Sequence, residues 1–83
     1  MFKLKAPDGT NNLCGRKLAR LRAEHDPPLS QRRLAQMLQV KGYDVDNHVI
    51  RRIELGERFV TDIELVMLSD VLGVGLDELL RKD

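Results

Sequence analysis

The stretch DNHVIRRIELG, residues 46–56, combines helical spacing with an unusual set of polar side chains. Read as a helix, it brings three apolar residues onto or near one face: Val49, Ile50 and Ile53. The residues left facing outward are Asn47, His48, Arg51 and Arg52. Asn and His offer donors and acceptors, and Arg offers a planar donor fork, which suits them to base edges in the DNA major groove. The stretch predicts a DNA-recognition helix; the alternative is an amphipathic helix whose charges only face water.

The composition favours a single, all-helical domain. The chain has 83 residues, no Trp, one Tyr and two Phe. A domain of this size buries only about 60% of the surface that its unfolded chain exposes, so its core has to be compact. Leu, Ile, Val and Met must fill that core, and such a composition suits packed helices. We therefore expect an all-α fold.

Cysteine usage and hydropathy predict a soluble, cytoplasmic protein. Cys14 is the only cysteine, which excludes a disulfide within the chain and is typical of a reducing compartment. No apolar run approaches the roughly 20 residues that span a bilayer, and the first ten residues lack the apolar segment of a signal peptide. We expect no membrane association.

Charge is distributed unevenly along the chain. Residues 14–58 carry ten Lys or Arg against six Asp or Glu, whereas residues 59–83 carry two against six. A basic central part joined to an acidic end suits a molecule with one face toward phosphates and another toward a partner or solvent. The alternative is that both segments are simply solvated faces.

Apolar periodicity predicts five helices, which cover residues 12–25, 31–41, 46–55, 62–72 and 76–81. The core positions expected on the first two are Cys14, Leu18, Leu21, Leu34, Ala35 and Leu38. Those expected on the fourth are Leu65, Val66 and Leu68, and the fifth helix presents Leu76, Leu79 and Leu80. Residues 1–11, with Pro7, Asp8 and Gly9 close together, are predicted to be a flexible arm, and residues 12–83 the domain.

Helix starts carry a repeated local signal. Ser30, Asp46 and Thr61 are capping residues, each preceded by an apolar residue and followed by another four positions later, which is the hydrophobic-staple spacing. Thr61 also has Glu64 three positions on, which completes a capping box. Gly75 is a weaker cap. Helix ends are expected at Pro27 and at three glycines: Gly42, Gly56 and Gly73.

With these elements placed, LSQRRLAQML followed by VIRRIELGERFVTDIELVMLSDVLGVGLDELL resembles the Cro/repressor-type helix-turn-helix family, also called the xenobiotic-response-element (Xre) family of bacterial and phage regulators. The resemblance covers roughly residues 13–80 and implies a five-helix, lambda-repressor-like DNA-binding domain. The turn between the second and third helices is about five residues longer here than in the common pattern. The sequence therefore resembles a branch with a longer connection, in which Tyr43 packs over the gap.

The resemblance implies roles for individual residues. The predicted base contacts are Asn47, His48 and Arg52. The predicted phosphate contacts are Gln31, Arg51 and Arg58, with Arg32 and Arg33 as lesser candidates. Arg22 and Glu54 fall where relatives place a partly buried ion pair that joins the first helix to the third. No metal site and no cofactor are implied.

Each of these roles has a simpler alternative. Arg52 and Asn47 are alternatively solvated side chains on a helix face. His48 is alternatively a core or surface histidine, or a pH switch. Cys14 and His25 do not suggest a nucleophile and its base, because eleven residues of one helix separate them by about 16 Å. We expect a small core residue at Cys14 and no enzyme.

The sequence thus predicts sequence-specific binding to double-stranded DNA by a transcriptional regulator, with repression the expected mode. A homodimer on a roughly palindromic site is expected, because two helices reading successive major-groove faces multiply the discrimination of one. The fifth helix, with Leu76, Leu79 and Leu80, is the expected dimer contact, unless those leucines all belong to the core. No small-molecule ligand is evident. The alternative function is a protein-interaction module on the same fold, antitoxin-like or binding a regulatory partner.

Overall fold

The computed structural model describes residues 4–81, and that part of the chain contains five α-helices and no strand. The helices are α1 (Gly15–Glu24), α2 (Gln31–Val40), α3 (Asn47–Glu54), α4 (Asp62–Leu72) and α5 (Leu76–Leu80). This confirms the predicted all-α, five-helix fold. No helix within residues 4–81 has the length and apolar character needed to cross a bilayer. Residues 1–3 of the predicted arm and residues 82–83 of the predicted domain lie outside the described residues.

The three predicted caps begin α2, α3 and α4. Ser30 Oγ accepts from the backbone N–H of Arg33 at 2.9 Å, and Asp46 Oδ1 accepts from that of Val49 at 3.0 Å. At α4 the capping box is complete, since Thr61 Oγ1 accepts from Glu64 N and Glu64 Oε1 accepts from Thr61 N. Each bond satisfies a backbone donor that has no partner inside the helix. Gly75 begins α5 without a side-chain bond.

Glycines in the left-handed conformation end α2 and α3. Gly42 has φ +94° and Gly56 has φ +77°. Behind them, Tyr43 N donates to Leu38 O and Glu57 N donates to Arg52 O, both at 3.0 Å. These are the long bonds of Schellman motifs, which require a residue that adopts positive φ without strain.

The helices share one apolar core that draws on all of them. Its buried members are Cys14, Leu18, Leu29, Leu34, Ala35, Leu38, Val45, Ile50, Ile53, Met67, Leu68, Leu72 and Leu79. Val66, expected in this core, is 53% exposed, and Met67 is buried in its place. The reason is rotational: Leu68 and Leu72 set the inward face of α4, and Val66 lies two positions from Leu68, on nearly the opposite side of the helix. In α5 only Leu79 is buried, while Leu76 and Leu80 remain partly exposed.

The packing order places α3 at the centre of the basic part of the chain. α3 packs against both α1 and α2, whereas α4 packs against α2 and α5. At the α1–α3 contact Gly15 lies so close to the carbonyl oxygen of Ile53 that an added Cβ would stand 2.3 Å from it. A glycine therefore lets the two backbones meet.

Residues 6–11 form a turn that is hydrogen-bonded to the segment following α3. Ala6 N donates to Thr10 O, and Asn11 N donates to Gly56 O, both at 2.8 Å. Asn11 Nδ2 also donates to Glu57 O at 2.9 Å. Hydrogen bonds to the segment after α3 thus begin before residue 12, the predicted start of the domain. The flexibility of the arm stays a prediction.

Candidate nucleic-acid interface

α3 has two chemically distinct faces. Ile50 and Ile53 are fully buried, and Val49 is half-buried against the core. The residues expected to face outward are on the opposite side: His48, Arg51 and Arg52 are exposed, and Asn47 is half-exposed. The apolar side chains anchor the helix, so the polar face is held in a defined orientation. This places the candidate base-reading residues together on one surface.

The longer turn before α3 is held in place by packing against the core and by a hydrogen bond from α2. Val45 is buried and Tyr43 packs against the core, as expected for a residue covering the gap. Gln39 Nε2, from the last turn of α2, donates to Val45 O at 2.8 Å. Because Asp46 follows Val45 directly and caps α3, this bond fixes the point at which α3 starts. Nothing in the sequence pattern of α2 singled out Gln39 for this role.

Glu54 is the centre of a polar cluster at the other end of α3. Arg22 Nε donates to Glu54 Oε2 at 2.8 Å, and Arg22 Nη2 donates to Glu54 Oε1 at 2.9 Å. These are the two residues that the resemblance places in an ion pair. The hydrogen bonds that Arg22 donates to Glu54 raise the pKa of Arg22 above its ordinary value, against a smaller opposing effect of burial. The pair joins α1 to α3 with both partners charged.

The amide of Gln31 also belongs to this cluster. Its Nε2 donates to Glu54 Oε1 at 3.0 Å, and Arg22 Nη1 donates to Leu29 O at 2.8 Å. Gln31 is the first residue of α2, where backbone N–H groups lack helical acceptors and favour anions. Gln31, a predicted phosphate contact, therefore already donates one side-chain hydrogen bond within the protein.

The cationic side chains predicted to contact DNA differ in whether they already form ion pairs within the protein. The guanidinium groups of Arg32, Arg33 and Arg51 are exposed and have no acidic partner within residues 4–81. Arg52 Nε lies 4.0 Å from Glu57 Oε1, and both side chains are more than half exposed. Such a surface pair contributes about 0–1 kcal/mol, so it would give way readily to a stronger acceptor.

Arg58 is more firmly held. Its Nη2 donates to Glu64 Oε2 at 2.5 Å, and Glu64 is itself part of the α4 capping box. The side chain of Arg58 is about one third exposed. A phosphate contact from Arg58 would have to share or replace this pair.

Asn12 is a positioning residue that the sequence did not indicate. Its Oδ1 accepts from Gly15 N at 2.8 Å, so it caps α1 from outside the helix, which was predicted to begin at residue 12. Its Nδ2 donates to Ile53 O at 3.0 Å and to Arg58 O at 2.8 Å. An Asn shortly before a helix is a recognisable capping type, but its partners 41 and 46 residues away are set by packing.

Cys14 lies in the core, as expected, and is 1% exposed. Burial raises the pKa of its thiol to about 11, so the thiol is protonated at neutral pH. His25 Nδ1 lies 3.0 Å from the carbonyl oxygen of Pro27. In the described part of the chain, no three His, Cys, Asp or Glu side chains are grouped as a metal ion would require.

No protein-family model, no curated protein and no solved structure matches this chain.

Proposed function

We propose that this chain is a sequence-specific DNA-binding domain that acts as a transcriptional regulator in the cytoplasm, with α3 as its recognition helix. The observation that carries the proposal is the exposed polar face of α3, which lies opposite the fully buried Ile50 and Ile53. An α-helix fits the width of the major groove, and this face offers the donor and acceptor types that base edges match. The resemblance to Cro/repressor-type regulators supports the same function.

The two kinds of contact have different partners. Arg52 would donate its fork to a guanine, and Asn47 and His48 would reach neighbouring base edges. Phosphates would be bound by the outer groups, which are Arg51 on α3 and Gln31, Arg32 and Arg33 at the start of α2. The N–H groups and positive dipole end of α2 add to the attraction for an anion. Phosphate contacts set the position of the helix, and base contacts set the sequence preference.

The regulator would act as a homodimer on a palindromic site, with repression as the expected mode. Of the three α5 leucines, Leu79 is committed to the core, which leaves Leu76 at 42% and Leu80 at 37% exposure for a contact between subunits. Two-fold pairing would place two copies of α3 about 34 Å apart on successive major-groove faces.

Selection of bound sequences from a random duplex pool tests the proposal directly. We expect a palindromic consensus, and a binding constant whose logarithm falls with log salt by about 0.9 per phosphate contacted. Failure to bind any duplex even at low ionic strength would refute DNA binding.

Substitutions separate base reading from phosphate binding. Arg52→Ala should cost about 1–3 kcal/mol on the selected site and relax the preference at one base pair. Gln31→Ala should weaken the selected and random duplexes alike. Arg81→Ala is the charge-matched control, because Arg81 is exposed and follows the acidic α5. Equal losses on both duplexes for Arg52→Ala would contradict the assignment of Arg52 as a base contact.

A second candidate function, a protein-interaction module, is supported by the outer face of α4. Ile63 is 72% exposed and Val66, one helical turn away, is 53% exposed. Asp62 and Asp70 are exposed on the same helix. A partner protein that co-purifies with the chain, combined with absence of duplex binding, would favour this function over the first.

A further inference from the structure

The cluster around Glu54 joins Gln31, a predicted phosphate contact, to α3, the proposed recognition helix. The side chain of Glu54 is only 8% exposed, and both of its oxygens accept hydrogen bonds. Oε1 accepts from two residues, Arg22 and Gln31. One carboxylate at the C-terminal end of α3 therefore holds a side chain of α1 and the first side chain of α2.

The bond to Glu54 has a specific consequence for the amide of Gln31. A side-chain amide has a donating nitrogen and an accepting oxygen of nearly the same shape, and either end can point toward a neighbour. A carboxylate accepts only, so it selects the nitrogen end. The Nε2 group carries two hydrogens, and one of them forms the hydrogen bond to Glu54.

A DNA phosphate is also purely an acceptor, and would be repelled by the amide oxygen. With its nitrogen held by Glu54, Gln31 can offer the second hydrogen without first reorienting. The negative charge of Glu54 does not oppose this, because Arg22 pairs with it through two hydrogen bonds.

We infer that Glu54 is a positioning residue for the phosphate contact of Gln31: its carboxylate presents the Gln31 amide nitrogen to the DNA backbone and couples that contact to the placement of α3. The inference rests on the proposed DNA binding. It assigns Glu54 a function in recognition, beyond joining α1 to α3.

The test measures what Gln31→Ala does to duplex affinity in three backgrounds, with a short random-sequence duplex at low ionic strength as the probe. In the unchanged chain we expect a loss of roughly tenfold, as for one hydrogen bond to a charged group. In the Glu54→Gln background the same substitution should cost about fivefold or less, because an amide that is free to present either end offers its nitrogen only about half of the time.

Glu64→Gln supplies the matched control. It removes the same charge and also breaks a Glu–Arg pair, the one with Arg58, but it does not contact Gln31. In this background Gln31→Ala should still cost roughly tenfold. Any general effect of one fewer negative charge on DNA affinity is thereby cancelled. Equal losses from Gln31→Ala in all three backgrounds would overturn the positioning role.

Nuclear magnetic resonance of the unchanged chain gives a second readout that does not depend on the variants folding. In the free protein, the Gln31 side-chain amide hydrogen that is bonded to Glu54 should exchange with solvent more slowly than the second hydrogen on the same nitrogen. On addition of the duplex the other hydrogen should also become protected. Binding of the duplex without any change at this amide would overturn the inference and leave the proposed function standing. Absence of all binding would overturn both.

Discussion

Gly15 is the residue at which the α1 and α3 backbones come closest. An added Cβ would stand 2.3 Å from Ile53 O and 2.9 Å from Asn12 Oδ1. Alanine is ordinarily better than glycine in a helix by up to about 1 kcal/mol. We nevertheless expect Gly15→Ala to destabilise the fold by about 1–3 kcal/mol in urea unfolding, because α1 would have to move away from α3.

The control for this prediction is Ala23→Gly, at an exposed position on the same helix. It should also destabilise the fold, by about 0.5–1 kcal/mol, through the ordinary preference of helices for alanine. A Gly15→Ala variant as stable as the unchanged chain would show that the close approach is not required.

The buried thiol of Cys14 should make the protein less stable at alkaline pH. Burial raises the pKa of its thiol from the ordinary 9.0 to about 11 in the folded state. The unfolded chain releases this proton at a lower pH than the folded chain does. The contribution of the protonated thiol to the free energy of unfolding is therefore complete below pH 9 and is lost as the pH rises through 11. We expect this loss to reach about 2 kcal/mol.

The measurement is the free energy of unfolding of the unchanged chain and of Cys14→Ala across pH 7–11. Comparing the two cancels the titration of every other group, since only the thiol differs. Parallel pH profiles for the two proteins would argue that the thiol titrates normally when folded.

At the scale of elements, the connection between α2 and α3 determines where the candidate recognition helix starts. Gln39 Nε2 donates to Val45 O, and Val45 N donates to Tyr43 O at 3.1 Å. We expect Gln39→Ala to lower stability by about 1 kcal/mol and to speed hydrogen exchange at the Val45 amide.

Gln36→Ala is the matched control, since it removes an exposed glutamine from the same helix. It should leave both stability and the exchange rate at Val45 nearly unchanged. If Gln36→Ala and Gln39→Ala behave alike, the bond to the turn contributes nothing measurable.

At the scale of the whole molecule, the basic residues of α1–α3 are separated along the chain from the acidic residues of α4 and α5. If the chain is the proposed regulator, this division would favour DNA on the side of α3 and would leave α5 for the contact between subunits. We expect the double substitution Leu76→Ser/Leu80→Ser to weaken dimerisation in sedimentation equilibrium and cooperative binding to a palindromic duplex. Its effect on unfolding should be small, since both side chains are partly exposed.

Leu79→Ala is the contrasting control, because Leu79 is fully buried between the same two positions. It should cost about 2–5 kcal/mol of stability. A dimer that survives Leu76→Ser/Leu80→Ser would place the subunit contact on another surface.

The sequence by itself determined the elements of this protein. Ser30, Asp46 and Thr61 indicated where three helices begin, and Gly42 and Gly56 indicated where two of them end. The two faces of α3 also followed from periodicity. These signals could be read because a cap, a staple or a Schellman motif involves only residues within about six positions of one another.

Only the tertiary structure decided how the elements meet. Val66 is exposed and Met67 buried because the rotation of α4 is set by what surrounds it. The bonds of Asn12 to the end of α3, of Gln31 to Glu54 and of Gln39 to the turn depend on where whole helices lie. An amide side chain gives no sign in sequence of which distant group it will meet, since many residues could satisfy it. Packing of the buried apolar faces selects one arrangement, and the polar partners of α3 follow from it.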